Sequence, residues 1–285
     1  MKPLPALLAI IVVTLSAGRS LAQALHLEAP KGIEAGSSLP IATSGRGLAE
    51  LYVVGPGGAV RRTVHLGETL TLGQEELHNA GHYTAFLVAG SAQQSLDFEV
   101  TAAEHPARLA FLAKPSRLPV DRANAVSGVV YVFDAYENLI LAPVQVSFEF
   151  GNEAKVAPTR NGIAWVSMNS ASRAGIARFH AAAGSLTEER VVQQVPGDPC
   201  SLRMNVKASG PRILVETEPV RDCQGNPVPD GTIVSFTESH DGSQSTVDVP
   251  LKRGVARTEM PAIDGAVISV ATGVVLGNEV HWSGR

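Results

Sequence analysis

From residue 25 onward, apolar and polar residues alternate along most of the chain. Leu96, Phe98 and Val100 alternate with Ser95, Asp97 and Glu99. Val144, Val146, Phe148 and Phe150 alternate with Gln145, Ser147 and Glu149, and Leu202, Met204 and Val206 alternate with Ser201, Arg203, Asn205 and Lys207. A period of two puts one set on a core face and the other toward water, the mark of a half-buried strand. Gly and Pro break these runs at short intervals: "GPGG" at 55–58, "NPVPDG" at 226–231 and "HDGS" at 240–243. Such residues supply the dihedrals that turns require. No helical period follows residue 24. Many short strands between turn signals predict an all-β chain, a sandwich or a barrel.

One stretch occurs twice. "DAYENLILAPVQVSF" runs from Asp134 to Phe148, and "DCQGNPVPDGTIVSF" runs from Asp222 to Phe236. Both begin with Asp, carry Asn four residues later (Asn138, Asn226) and end in Val-Ser-Phe, at an offset of 88 residues (222 − 134). One immunoglobulin-like sandwich takes about 100 residues, so the offset is one domain long. "TAAEHPARL" at 101–109 and "QQVPGDPCSL" at 193–202 each separate two alternating runs and contain Pro, which cannot donate to a ladder. The expected organisation is three tandem domains at 25–103, 104–196 and 197–285, strung end to end on short linkers.

The repeated stretch reads as fold punctuation. Asp222 can bond the backbone of its own turn. Gly225 and Asn226 tolerate positive φ, Pro227 has φ preset, and Asp230-Gly231 makes a second corner before the strand holding Phe236. The first domain carries its own mark, "NAGHYTA" at 79–85. Asn79, Gly81 and Tyr83 resemble the Asp-x-Gly-x-Tyr-x-Cys signature of immunoglobulin-like domains, with Ala85 in place of Cys. The resemblance implies a tyrosine corner, the Tyr83 hydroxyl bonding backbone upstream.

The second and third domains resemble bacterial immunoglobulin-like domains of group 1, the repeats of invasin- and intimin-like proteins. The resemblance rests on Asp222, Gly225, Asn226, Pro227, Val228, Gly231, Val234 and Phe236, then Gly254-Val255-Ala256. In the second domain the matching marks are Asp134, Asn138, Val146, Phe148 and Gly175-Ile176-Ala177. Glu137 there stands for the turn Gly and Leu139 for Pro, and the middle of that copy is expected to be the longer one. The resemblance implies an extracellular or envelope role in adhesion, spacing or protein recognition.

The N-terminus fits that compartment. "MKPLPALLAIIVVTLSAGRSLAQA" has a cationic start at Lys2, an apolar core over 6–15 and a small-x-small site at Ala22-Gln23-Ala24, the pattern of a secretory signal peptide over 1–24. Its apolar run is shorter than the roughly 20 residues a membrane helix needs. No lipid-accepting Cys follows Ala24, no later run is apolar and long enough to span a membrane as a helix, and no anchor is expected. Loss of Lys2 and Arg19 takes the formal charge from −4 to −6. That acidity argues against nucleic acid, which needs a basic surface. The two cysteines, Cys200 and Cys223, read as one disulfide in an exported chain, against two free thiols or half a metal site.

Candidate chemistry is sparse. His78 and His82 are four apart but sit in a turn, and there is no Gly-x-Ser-x-Gly elbow, phosphate loop or dinucleotide fingerprint. Glu75-Glu76 and Glu188-Glu189 are adjacent in sequence and so point to opposite sides of a strand. Glu104, Asp134, Asp198 and Asp222 lie near corners and could offer oxygens to calcium, though turn chemistry explains them as well. No catalytic residue, metal site or cofactor is expected. The other reading is a carbohydrate-binding module, or accessory domains of a sandwich-fold secreted enzyme. Against it, only Trp165, Trp282, Tyr52, Tyr83, Tyr131 and Tyr136 could build a sugar platform, and Tyr83 and Tyr131 look buried by pattern. Cleavage after Ala24 predicts that N-terminal sequencing of the exported protein begins at Leu25; retention of Met1 would refute the leader.

Overall fold

Alternation alone makes a strand, but it takes two facing sheets to bury the apolar side of each. The structure, a computed structural model describing residues 25–284, pairs its strands in that way. The leader expected over 1–24 lies outside the described residues. The chain is all-β and forms tandem immunoglobulin-like sandwiches. It divides into two compact units, one ending at Thr101 and one starting at Ala102.

The first unit has strands β1 (His26–Glu28), β2 (Gly32–Glu34), β3 (Leu39–Ser44), β4 (Leu48–Gly55), β5 (Gly58–His65), β6 (Thr69–Leu72), β7 (Gly81–Ala89) and β8 (Ala92–Thr101). They form one sheet ordered β1-β3-β6 and one ordered β2-β8-β7-β4-β5. Leu39, Ile41, Leu51, Leu72, Leu87 and Phe98 fill the space between them. Tyr83 of β7 is buried, stacks on Phe98 at 5.3 Å and donates from its hydroxyl to Asn79 O at 2.9 Å. Gly55 is needed beside it, because a Cβ there would lie 2.1 Å from the Tyr83 ring.

The second unit begins with β9 (Arg108–Lys114), β10 (Arg117–Pro119), β11 (Val126–Phe133), β12 (Gln145–Phe150), β13 (Glu153–Pro158), β14 (Ile163–Met168), β15 (Gly175–Ala183) and β16 (Leu186–Val195). Sheet β14-β11-β9 packs on sheet β10-β16-β15-β12-β13. Phe179 is the hub of the core, with Phe111 edge-on at 5.1 Å, Phe150 at 5.2 Å and Phe148 at 6.3 Å. The unit continues with β17 (Met204–Ser209), β18 (Arg212–Thr217), β19 (Ile233–His240), β20 (Ser243–Pro250), β21 (Arg257–Pro261), β22 (Val267–Thr272) and β23 (Val275–His281). Sheets β17-β18-β21 and β20-β19-β22-β23 enclose a separate core that includes Ile213, Val215, Phe236, Met260 and Ile268. Phe148 of β12 and Phe236 of β19, 88 residues apart, are both wholly buried.

The match of Gly254-Val255-Ala256 to Gly175-Ile176-Ala177 is corrected by the structure. Gly254 sits in a two-residue hairpin turn, with Lys252 N bonding Val255 O at 2.9 Å. Its structural counterpart is Gly162, where Arg160 N bonds Ile163 O at 2.9 Å. Both turns need two successive residues with positive φ, and both have them: Asn161 (51°) and Gly162 (77°), Arg253 (54°) and Gly254 (81°). Gly175 instead opens β15. Phe148 to Gly162 is 14 residues and Phe236 to Gly254 is 18, so the third sandwich has the longer middle. The extra length is in the β19–β20 hairpin, whose strands have eight residues each against six in β12 and β13.

One core position breaks the alternation rule. Glu238 of β19 points inward, is buried, and leaves Oε1 without a hydrogen-bond partner among the described residues. Burial holds its carboxyl above the ordinary value near 4.5, and the nearby His240 offsets this only in part. A raised carboxyl pKa means that the folded state favours the protonated form. The group therefore stabilises below about pH 4.5, and that contribution is lost as pH rises through the folded pKa. Glu238→Gln is expected to raise neutral-pH stability by about 1 kcal/mol and to change little near pH 4, read by thermal unfolding at both pH values.

Candidate functional site

The polar residues singled out by sequence converge at the two aspartate corners. Asp222 is buried where the chain leaves β18 for β19. Its Oδ1 accepts from Gln224 N at 3.0 Å and Asn226 N at 2.8 Å, and its Oδ2 accepts from Gly197 N at 3.0 Å and Asn226 Nδ2 at 2.9 Å. Asp134 repeats this atom for atom. Its Oδ1 takes Tyr136 N at 2.9 Å and Asn138 N at 2.8 Å, and its Oδ2 takes Ala103 N and Asn138 Nδ2, both at 2.9 Å. Each carboxylate thus ties a turn to the segment that enters its own sandwich. Burial alone would raise both carboxyls, but the Asn side chain and the backbone N–H donors outweigh it and hold both below the ordinary value near 3.8.

This arrangement disposes of the calcium reading for Asp134 and Asp222. Both oxygens of each already face N–H donors, whose positive ends occupy the places a cation would need. Among the described residues no group of three or more His, Cys, Asp or Glu is placed to hold a metal ion. The acidic pairs are also engaged: Glu76 bonds Gly73 N and Arg62, Glu188 pairs with Arg190, and Glu189 pairs with Arg178.

Gly225 has φ of 81°, as its turn requires. In the second sandwich Glu137 takes the same place at φ 67°, strained for a residue with a Cβ. Asn226 was expected to serve through positive φ as well, but it is not among the residues with that conformation. Its side chain does the work instead. Nδ2 donates to Ser172 O at 2.8 Å, and Oδ1 accepts from Ala174 N at 3.0 Å. Ser172 and Ala174 belong to the loop between β14 and β15 of the preceding sandwich. Asn226 therefore fastens one sandwich to the next, and Gln224 adds a side-chain bond to Asp121. The receiving loop is itself held: buried Gln194 accepts from Ala171 N at 2.7 Å, and Glu153 accepts from Asn169 N at 2.7 Å. Pro227 and Gly231 carry the chain on toward β19, with Gly231 N bonding Leu251 O at 2.9 Å.

The disulfide joins Cys200 and Cys223 across a sequence separation of 23. Cys200 lies in the lead-in to β17, where its N donates to Arg221 O at 3.0 Å. The covalent link and the Gly197–Asp222 bond thus secure the same junction from two sides. The expectation of a buried Tyr131 changes: it is only partly buried, and Trp165, on the same outer sheet face, is 60 % exposed. Trp282 packs partly against the third core.

No family model matches the chain, and no curated protein matches it. Solved structures do. The structure of InvD from Yersinia pseudotuberculosis superposes with a TM-score of 0.52 at 13 % identity, covering 91 % of this chain and 98 % of that one. FdeC, an adhesin of Escherichia coli, superposes with a TM-score of 0.54 at 14 % identity, covering 92 % of this chain and 94 % of that one. At such identities the likeness establishes the fold.

Asn226→Ala removes both bonds to the loop at 172–174 and one to Asp222. The expected cost is about 1–3 kcal/mol, with faster amide exchange at Ala174, measured by denaturant titration and hydrogen exchange. The lowered pKa of Asp222 means that its stabilisation is full above about pH 3.8 and is lost as pH falls through the folded value. Asp222→Ala should therefore melt lower than the parent at pH 7, and the gap should narrow as pH falls below 3.8; a constant gap would contradict the assignment.

Proposed function

We propose that this chain is a non-catalytic exported bacterial protein that works in adhesion, spacing or protein recognition, outside the cell or in the envelope. The observation that carries the reading is the use made of its two buried aspartates. Asp134 and Asp222 spend every oxygen on holding corners and entering segments, which is the work of a scaffold. The tandem sandwich fold, shared along most of its length with an adhesin, supports the same reading. On this proposal the modules are 25–103, 104–196 and 197–285, and loops or sheet faces supply recognition. Among the described residues no helix is long and apolar enough to cross a membrane. The partner is a protein or cell-surface ligand.

A sugar-binding role has one observation in its favour, the exposed Trp165. Its neighbours across the strands, however, are Val129 and Leu112, not the polar groups that grip hydroxyls. The test is adhesion of beads coated with the purified protein to cell surfaces, before and after protease treatment of the cells. Saturable, protease-sensitive adhesion is expected. Adhesion abolished by soluble glycans would favour the sugar reading, and a hydrolytic activity lost on changing one carboxylate or Ser would overturn the proposal.

A further inference from the structure

The outer faces of the two equivalent three-stranded sheets in the second unit differ sharply. In sheet β17-β18-β21 the outward rows across the strands are Asn205–Glu216–Arg257, Lys207–Leu214–Glu259 and Ser209–Arg212–Pro261. This is an ordinary solvated face. In sheet β9-β11-β14 the outward rows are Lys114–Ser127–Ser167, Leu112–Val129–Trp165 and Ala110–Tyr131–Ile163, followed by Arg108–Phe133 with Leu139 bridged to Phe133. These residues alternate with buried Val130, Val132, Ala164 and Val166, so they point away from the core. Leu112 is 52 % exposed, and Trp165 exceeds it. The equivalent sheet of the next sandwich does not need an apolar exterior. The other sheet of this sandwich is mixed, with Ile176, Val191 and Val156 outward but set among Arg178, His180, Glu189 and Gln193 rather than in one apolar block.

Strand spacing of about 4.8 Å and side-chain rows about 7 Å apart make this block roughly 10 by 14 Å between backbone positions. With side chains it approaches the ~300 Å² at which an exposed apolar patch is often functional. Cations frame it. Lys114 stands at one end. Arg108 stands at the other, over the Phe133 ring at 5.1 Å and paired with Glu137 at 3.3 Å, and Arg160, which pairs with Ile163 across the hairpin turn, keeps that end net cationic.

We propose that this face is the docking surface of the protein, and that its partner is a protein whose contact patch is apolar at the centre and acidic at the rim. The inference rests on the recognition role proposed above and assigns it to one face. Charge selects the partner. Two copies meeting face to face would bring cationic ends onto cationic ends, which opposes self-association. The face is also a flat sheet, suited to sheet-on-sheet packing, whereas lipid insertion uses amphipathic helices sunk into the headgroups. Trp165 and Tyr131 at the centre, with Arg at the edge, match the residue types that dominate protein interfaces.

The test uses the purified protein and a cyclic β-hairpin peptide, its contact face built of Leu, Val and Tyr and its ends of Glu. Trp165 reports contact, since burial moves its emission to shorter wavelength, and Trp282 is already packed. Saturable binding is expected. It should weaken at least tenfold when Lys replaces Glu in the peptide, and as much for Trp165→Ser. Lys114→Glu with Arg160→Glu should reverse the peptide preference. All three positions are exposed, so unchanged thermal unfolding confirms that these variants fold. No binding, equal binding of both peptides, saturating binding to anionic vesicles, or a dimer lost in Trp165→Ser would each overturn the proposal. If Trp165→Ser adheres to cells as the parent does, this face is excluded while the recognition role stands.

Discussion

Two buried carboxylates organise the second unit. An ionised Asp inside a protein is costly unless its lone pairs are filled, and four N–H donors fill those of Asp134 and of Asp222. The donors come from two places, the turn itself and the segment entering the sandwich. That double origin is the point. A carboxylate that bonded only its own turn would shape a loop. One that also takes Ala103 N or Gly197 N fixes where the chain enters, and so sets the register of everything that follows. The disulfide at Cys223 strengthens the same constraint in the third sandwich, and the second sandwich manages without one.

The Asn partner explains why the motif is Asp-x-x-x-Asn. Its amide has a donor side and an acceptor side. In the third sandwich the donor side serves both Asp222 and Ser172 O, and the acceptor side takes Ala174 N. Asp at 226 would face Asp222 with a second negative charge and could not donate to Ser172 O. Gln would carry the amide one methylene too far. At Asp222 the turn chemistry and the joint between sandwiches are thus one device, and the direction of the chain at this corner is tied to the loop on which it rests.

Much of this fold was legible in sequence, and the reasons are local. Alternation at 95–100, 144–150 and 202–206 reports burial directly, and an Asp and Asn four apart with a Phe ten beyond survive as a repeat because one corner needs them. What was misread depended on hairpin length. Two Gly-Ile-Ala tripeptides, at 162–164 and 175–177, competed for one counterpart of Gly254. Only the paired positive φ values of Asn161 and Gly162 decide between them. The second role of Asn226 was invisible because its partners lie 52 and 54 residues away, in a loop with no matching signature.

The exposed face was hidden for a different reason. "VVYVF" at 129–133 is apolar throughout, and such a run reads as a strand buried on both sides. In a two-sheet sandwich only one side can be covered by the domain itself. Val130 and Val132 therefore account for the core, and Val129, Tyr131 and Phe133 remain to be explained. The counterpart of Val129 on β18 is Glu216, and that of Phe133, beside the same corner, is Arg221, so the fold tolerates charge at this place. Folding sets only the inner half of each strand, and the outer half is free to record what the domain meets. On β11 that record is apolar, flanked by Leu112 and Trp165 on the neighbouring strands and by cations at both ends. The two sandwiches share one set of corners, and their outer faces are where their roles diverge.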